Sequence, residues 1–129
     1  MNKLNGIILV TVLALWIAFC GTATASQLYV NESGWWHDGD MFNASSAPIQ
    51  SAVDCATDGD SIFVRSGSYN ENIKIYNKDL TIEGEGNATT TIDAIGSGNC
   101  IYATNANITI ADFTIKNAGG WGYILLDIT

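Results

Sequence analysis

Positive charge is scarce in this sequence. Its 129 residues include five Lys and Arg against thirteen Asp and Glu, which gives a formal net charge of −8 at pH 7. Proteins that bind nucleic acid neutralise its phosphates with clustered Lys and Arg. No such cluster occurs here, so we expect no nucleic-acid partner and attribute the acidic composition to solubility.

Motifs for nucleophilic, redox or cofactor chemistry are also missing. The sequence has no Gly-x-Ser-x-Gly turn, Cys-x-x-Cys pair, phosphate-binding loop or dinucleotide fingerprint. The carboxylates that could form a catalytic pair, Glu83 with Glu85, lie at a strand end, where such groups are most often solvated. The chain is therefore predicted to be non-catalytic and to hold no cofactor, with calcium only weakly supported.

The first 25 residues have the pattern of a secretory signal peptide. Lys3 supplies the positive start, residues 6–20 form an apolar run, and Ala23-Thr-Ala25 is a small-x-small cleavage site. A run of 15 residues is shorter than the roughly 20 that a membrane-spanning helix needs. We expect cleavage after Ala25 and a mature chain that is secreted or held at the cell surface, without a membrane span.

Export has two consequences that the sequence leaves open. Cys55 and Cys100 would enter a compartment that permits disulfides, but nothing in the sequence sets the distance between them. A glycosylating host would also meet four Asn-x-Ser/Thr sequons, which begin at Asn31, Asn43, Asn87 and Asn107.

Short β-branched runs, separated by Gly, Asn, Asp and Ser, follow one another from residue 61 onward. The runs are Ile62–Val64, Ile73–Ile75, Leu80–Ile82, Thr90–Ile92, Ile101–Ala103, Ile108–Ile110, Phe113–Ile115 and Ile124–Leu126. A shift of 28 residues places Val64 on Ile92, Ile73 on Ile101 and Leu80 on Ile108. A shift of 23 places Ile92 on Ile115 and Ile101 on Ile124.

A three-strand unit that returns every 20 to 30 residues is typical of a β-solenoid. The sequence therefore predicts an all-β fold, a right-handed parallel β-helix of about two and two-thirds coils. Asn77 and Asn105 fall at equivalent places, and we expect them to form an amide ladder. An antiparallel sandwich is the alternative, but it gives no reason for three strands to recur at one shift, and two-residue Asn-Gly or Asp-Gly hairpins are absent between the runs.

The predicted organisation has three parts: the signal peptide at 1–25, an N-terminal strand, Trp-rich loop and capping helix at 26–60, and the β-helix at 61–129. Pro48 suits a first helical turn, and the apolar residues of segment 47–56 have helical spacing. Such a helix would cover the first coil. The chain stops inside what should be a strand of the third coil, so we expect a truncated solenoid with further coils downstream in a longer protein.

The segment from Trp35 to Asp40 has the side chains best suited to ligand binding. The favoured interpretation is packing of Trp35 and Trp36 in the cap, with His37-Asp-Gly-Asp40 forming a turn. Two other interpretations remain: the Trp faces stack on sugar rings, or His37, Asp38 and Asp40 hold a metal ion.

Four segments together resemble the opening of pectin-lyase-like right-handed β-helices. They are Pro48-Ile-Gln-x-Ala-Val-Asp, Asp58-Gly-Asp-Ser-Ile-Phe-Val, Gly67-x-Tyr69-x-Glu71-x-Ile73 and Leu80-Thr-Ile-Glu-Gly-Glu-Gly. In particular, the chain resembles NosD-like β-helix modules of archaeal cell-surface proteins, in which a Gly-Trp-Trp segment like that at residues 34–36 commonly precedes the helix. The resemblance extends from about Leu28 to the C-terminus.

The resemblance implies structural roles for the residues that carry it. Gly59 would relieve the helix end beside Asp60, Gly67 would permit a tight turn, and Tyr69 and Glu71 would pack and hydrogen-bond across it. Enzymes and non-enzymes share this fold. The function we expect is a surface or secreted module that binds cell-envelope glycans or builds the envelope. The alternative is the N-terminal fragment of a polysaccharide lyase, hydrolase or epimerase whose catalytic coils lie downstream.

Overall fold

The protein is mostly β, with one short helix. The computed structural model describes residues 24–119 and 124–127, so the predicted signal peptide, except its last two residues, lies outside the described part of the chain. The helix α1 is Pro48–Cys55. The strands are β1 (Gln27–Asn31), β2 (Gly34–His37), β3 (Asn43–Ala44), β4 (Ser61–Val64), β5 (Gly67–Tyr69), β6 (Ile73–Tyr76), β7 (Leu80–Gly84), β8 (Thr90–Asp93), β9 (Ile101–Thr104), β10 (Ile108–Ala111), β11 (Thr114–Lys116) and β12 (Ile124–Asp127).

Strands β1 to β3 lie in one sheet, and from β4 onward the strands enter three sheets in rotation. Sheet 1 has the order β10-β7-β4-β1-β2-β3, sheet 2 has β11-β8-β5, and sheet 3 has β12-β9-β6. Strand β4 pairs in parallel with β1, and from β7 onward each strand pairs in parallel with the strand three places earlier. The pairings β1–β2 and β2–β3 are antiparallel, so the segment predicted as a Trp-rich loop is a strand of sheet 1.

The strand register agrees with most of the residue matches that the repeat predicted and differs at the first of them, Val64 with Ile92. Pairing follows the shift of 28 for Ile73 with Ile101 and Leu80 with Ile108, and the shift of 23 for Ile92 with Ile115 and Ile101 with Ile124.

The predicted match of Val64 with Ile92 is wrong. Val64 pairs with Gly84, and Ile92 pairs with Tyr69 of β5. Strand β5 was missed because its sequence, Gly-Ser-Tyr, has one apolar residue and two residues typical of turns.

Alternate side chains of each strand enter one apolar core. In sheet 1 the residues that pair across four strands, and that form one interior column, are Leu28, Ile62, Ile82 and Ile110. Leu28 and Ile82 are fully buried, and Ile62 is 1% exposed. Because side chains alternate along a strand, the intervening residues Tyr29, Phe63 and Glu83 lie on the outer side of the same sheet.

Asparagines occupy corners where the backbone adopts the left-handed conformation. Asn77 and Asn105 have φ of 53° and 49°, a region that Asn tolerates better than most residues. Asn105 Nδ2 donates to Asn77 Oδ1 at 2.8 Å, which is the amide contact that the sequence suggested. At another corner Asn117 Nδ2 donates to both carboxylate oxygens of Asp93 at 3.0 Å. Side-chain hydrogen bonds thus join the ends of neighbouring parallel strands in sheets 3 and 2.

Helix α1 packs its apolar face on the core and is held at both ends by distant side chains. Its N-cap, Ala47, provides no side-chain hydrogen bond. Instead the buried Glu71 carboxylate accepts from the backbone N–H of Ile49 at 3.1 Å and of Gln50 at 2.8 Å. Burial raises the pKa of Glu71, while these two hydrogen bonds oppose the rise. A carboxylate here accepts hydrogen bonds from N–H groups that have no partner within the helix, and its negative charge interacts favourably with the positive end of the helix dipole.

At the other end of α1 the Lys78 ammonium binds the last carbonyls. Its Nζ donates to the backbone oxygens of Val53, Asp54 and Ala56 at 2.7, 3.1 and 2.8 Å. The C-cap Ala56 is extended, so no left-handed residue ends the helix. Gly59, at φ 86°, lies three residues further on and serves the following turn rather than the helix end. No helix in the described residues is long and apolar enough to cross a bilayer.

Polar side chains complete the strand edges nearest the N-terminus. Beside β6, the Gln50 side chain accepts from the Lys74 N–H at 2.7 Å and donates to the Lys74 carbonyl at 3.0 Å, as a neighbouring strand would. Beside β5, Glu32 Oε1 accepts from the Ser68 N–H at 2.8 Å. Two of the three sheets therefore end in side-chain bonds, and sheet 1 ends in the antiparallel strands β1 to β3.

Asp60 makes the protein sensitive to acid. Burial alone would raise the pKa of its carboxyl, but hydrogen bonds from Thr57 and Ser26 outweigh burial and hold the pKa below the ordinary value of 3.8. A lowered pKa gives stability that is present above the unfolded-state pKa and is lost as pH falls through the folded-state pKa. We expect the free energy of unfolding, measured with urea between pH 5 and pH 2, to fall less steeply in Asp60→Asn. Equal slopes below about pH 4 would contradict this assignment.

Candidate functional site

Aromatic side chains form a row on the outer side of sheet 1. The register places Trp36 of β2 opposite Tyr29 of β1, and Tyr29 opposite Phe63 of β4. All three alternate with core residues and therefore lie on the outer side, each half-buried. Phe42, 49% exposed, follows the turn after β2 and lies beside Trp36. We call these four residues the aromatic face.

The rings of the aromatic face are in contact from one strand to the next. The centroids of Tyr29 and Trp36 are 5.7 Å apart with planes 18° apart, and those of Tyr29 and Phe63 are 6.3 Å apart in an edge-on arrangement. Phe42 lies 5.9 Å from Trp36. These distances are typical of favourable aromatic pairs. The result is a continuous apolar strip that runs perpendicular to the strands and crosses β2, β1 and β4.

Arg65 adds a positive charge to this strip. Its guanidinium lies 5.2 Å from the Trp36 ring centroid, in a cation–π contact, and the side chain is exposed. Its position is fixed because Arg65 follows β4 directly, where its N–H donates to the Val30 carbonyl at 2.9 Å. Exposed guanidinium donors beside aromatic rings can bind hydroxyl or carboxylate oxygens of a ligand while the rings contact its apolar faces.

The structure separates the two tryptophans that the sequence grouped together. Trp35 pairs with the inward-facing Val30 and packs against the core, next to α1. It also meets His37 edge-on at 5.8 Å. Trp35 therefore packs against the core, whereas Trp36 lies on the outer side.

The predicted metal ligands only partly come together. His37 Nδ1 lies 3.6 Å from Asp40 Oδ2, and the Asp40 N–H donates to the His37 carbonyl at 3.0 Å to close a turn. Gly39 has φ of 82° in this turn, a conformation that favours glycine. Within residues 24–119 and 124–127, no three His, Cys, Asp or Glu side chains are grouped closely enough to hold a metal ion, and Asp38 does not complete such a group.

The predicted glycosylation sites and the two cysteines are not part of the aromatic face. The sequon residues Asn43, Asn87 and Asn107 are exposed, and Asn31 is half-buried with its Oδ1 accepting from the Ser33 and Gly34 N–H groups. Cys55 is exposed and Cys100 is buried, both as free thiols.

Gly67 and Tyr69, which the sequence placed at a tight turn, make specific contacts with other residues. A Cβ on Gly67 would meet Glu32 Cγ at 2.6 Å, so the small residue lets Glu32 reach β5. Tyr69 is 2% exposed, and its hydroxyl donates to the Arg65 carbonyl at 2.7 Å. Burial, together with the negative charges of Glu32, Glu71 and Glu85, raises the pKa of Tyr69. The turn under Arg65 is therefore held by a buried, neutral tyrosine.

Sequence reasoning missed Tyr29, Phe63, Phe42 and Arg65. A signal was present, because Tyr29 alternates with Leu28 and Val30, and Phe63 alternates with Ile62 and Val64. Alternation alone places both rings outside the core, but it does not reveal that β1 and β4 are neighbours. Comparison with protein families, with curated proteins and with solved structures finds no match for this chain.

Proposed function

We propose that this chain is a non-catalytic, exported module of the cell surface, built as the N-terminal part of a right-handed parallel β-helix. Three observations support the β-helix: strands from β4 onward enter three sheets in rotation, every pairing after β4 is parallel, and the residues of segments 48–86 resemble pectin-lyase-like proteins. The signal-peptide pattern of residues 1–25 supports export.

Glycan binding at the aromatic face is the function that we attach to this module. The observation that carries it is the unbroken row of Trp36, Tyr29 and Phe63 with the Arg65 guanidinium over its end. Contiguous apolar patches on a protein surface often mark binding sites. A sugar chain that lies across the strands would contact successive rings with its apolar ring faces and meet Arg65 with its oxygens.

The enzymatic alternative has less support in the described residues. Glu85 accepts from the Ser66 N–H at 2.7 Å, and Asp93 accepts from the Ile95 N–H at 2.8 Å. These hydrogen bonds lower the pKa of both carboxyls and fix them in turns. Both groups are thus tied to local structure, and no observation favours a catalytic role for them.

Replacing Trp36 with alanine is expected to reduce glycan affinity at least about tenfold, because aromatic residues at the centre of a contact surface contribute most of its binding energy. A glycan array on the exported protein would identify ligands, and titration calorimetry on the best of them would measure the affinity of each variant. Arg65→Ala is expected to lower the affinity for acidic glycans more than the affinity for neutral ones.

Tyr76→Ala is the matched control for Trp36→Ala. Tyr76 is 47% exposed and lies 5.9 Å from Tyr102 on sheet 3, away from the aromatic face. It should leave the affinity unchanged. An intact fold with no array signal, or an equal loss in both variants, would contradict binding at the aromatic face.

A further inference from the structure

Asp60 is a carboxylate at a core position. The register of sheet 1 places it level with Leu80 and Ile108 on one side and with Ser26 on the other. The equivalent positions of the next two strands are apolar, whereas this position holds a carboxylate. Asp60 is nevertheless only 2% exposed. Burying a charge is costly unless a partner neutralises it. Its presence therefore calls for a specific reason.

The carboxylate of Asp60 is bound by neutral donors. Its Oδ1 accepts from the Ser26 backbone nitrogen at 2.7 Å, and its Oδ2 accepts from the Thr57 N–H at 2.8 Å and the Thr57 hydroxyl at 3.1 Å. Among the residues that the structure describes, no Lys, Arg or His forms an ion pair with it.

The nitrogen that binds Asp60 is the atom that the predicted processing would release. Cleavage after Ala25 adds water across the Ala25–Ser26 peptide bond: the hydroxyl completes the Ala25 carboxyl group, and the nitrogen of Ser26 becomes an amine. With an ordinary α-amino pKa of about 7.7–8.0, that amine takes up a proton at neutral pH. Residues 24 and 25 are exposed, whereas Ser26 is half-buried.

We infer that Asp60 is the binding site for the α-ammonium group of Ser26, and that removal of the signal peptide creates a buried ion pair which fixes β1 on β4. The inference rests on the proposed export. Cleavage replaces the neutral N–H donor of the 2.7 Å hydrogen bond with an ammonium donor, and the resulting ion pair neutralises the buried carboxylate. Because β1 carries Tyr29, processing would also fix the centre of the aromatic face.

The test uses the full chain, secreted with its own leader, and a second chain with one glycine inserted between Ala25 and Ser26. Intact mass should show that the first begins at Ser26 and the second at the inserted glycine. Asp60→Asn is made in both. We expect this substitution to raise the unfolding equilibrium constant about tenfold more in the chain that begins at Ser26, since only there does it break the ion pair.

A second readout reports on the amine itself. The α-amino group of Ser26 should react with an amine-acylating reagent about tenfold more slowly than that of the inserted glycine, because the ion pair holds it in the unreactive ammonium form, and Asp60→Asn should remove most of the difference.

The outcomes distinguish the inference from the proposed export. Equal effects of Asp60→Asn in both chains, equal acylation rates, or cleavage at another site would overturn the ion pair while leaving export intact. An uncleaved chain retained by the cell would overturn export, and the ion pair with it.

Discussion

Replacing Ile82 with alanine is expected to lower the free energy of unfolding by about 3 kcal/mol. Ile82 is fully buried and lies between Ile62 and Ile110 in the interior column of sheet 1. The hydrogen bonds of β4, β7 and β10 hold the strand spacing, so the neighbours cannot move in to fill the space that alanine leaves. Urea denaturation at pH 7 measures the loss, and an unchanged m-value shows that the native fold is kept.

Glu83→Ala is the matched control, because Glu83 is the next residue of β7 and is exposed on the outer side. Its effect should stay within about 0.5 kcal/mol. Ile82→Val, which removes one methylene, should cost about 1 kcal/mol. Equal effects of Ile82→Ala and Glu83→Ala would contradict the inward placement of Ile82.

The features that the sequence predicted best are those that depend on the periodic spacing of apolar residues along the chain. Apolar alternation with two repeat shifts located the strands and gave the correct partners of Ile73 and Leu80, because a parallel register must bring core side chains to the same side. The same logic failed at Val64. Its true partner, Gly84, has no side chain to match, and the intervening strand β5 shows no apolar alternation.

Features that join distant segments were beyond such patterns. The helix was predictable from its own spacing, but the groups that hold its ends, Glu71 and Lys78, follow β5 and β6 and become its neighbours only through the fold. The aromatic face has the same origin. Each ring is placed outside the core by its own strand, and the row exists because β2, β1 and β4 are adjacent in one sheet.

The cap and the aromatic face are physically connected through these contacts. Strand β2 carries Trp36 outward and Trp35 inward, and Trp35 packs beside α1. A helix that is poorly held would therefore loosen the strand on which the outer tryptophan stands. Stability of the helix ends should consequently affect the proposed binding surface, although neither Glu71 nor Lys78 lies on it.

Replacing Glu71 with alanine is expected to lower the free energy of unfolding by about 3 kcal/mol, because it leaves the buried N–H of Ile49 and the half-buried N–H of Gln50 without acceptors. Glu71→Gln keeps an oxygen for one of the two donors, so its loss should be intermediate. Hydrogen exchange should show the first turn of α1 losing protection before β7. Asp54→Ala, which removes an exposed carboxylate of the same helix, should cost under about 0.5 kcal/mol. If Glu71→Ala cost no more than that, the carboxylate would not be the cap of this helix, and its burial would need another cause.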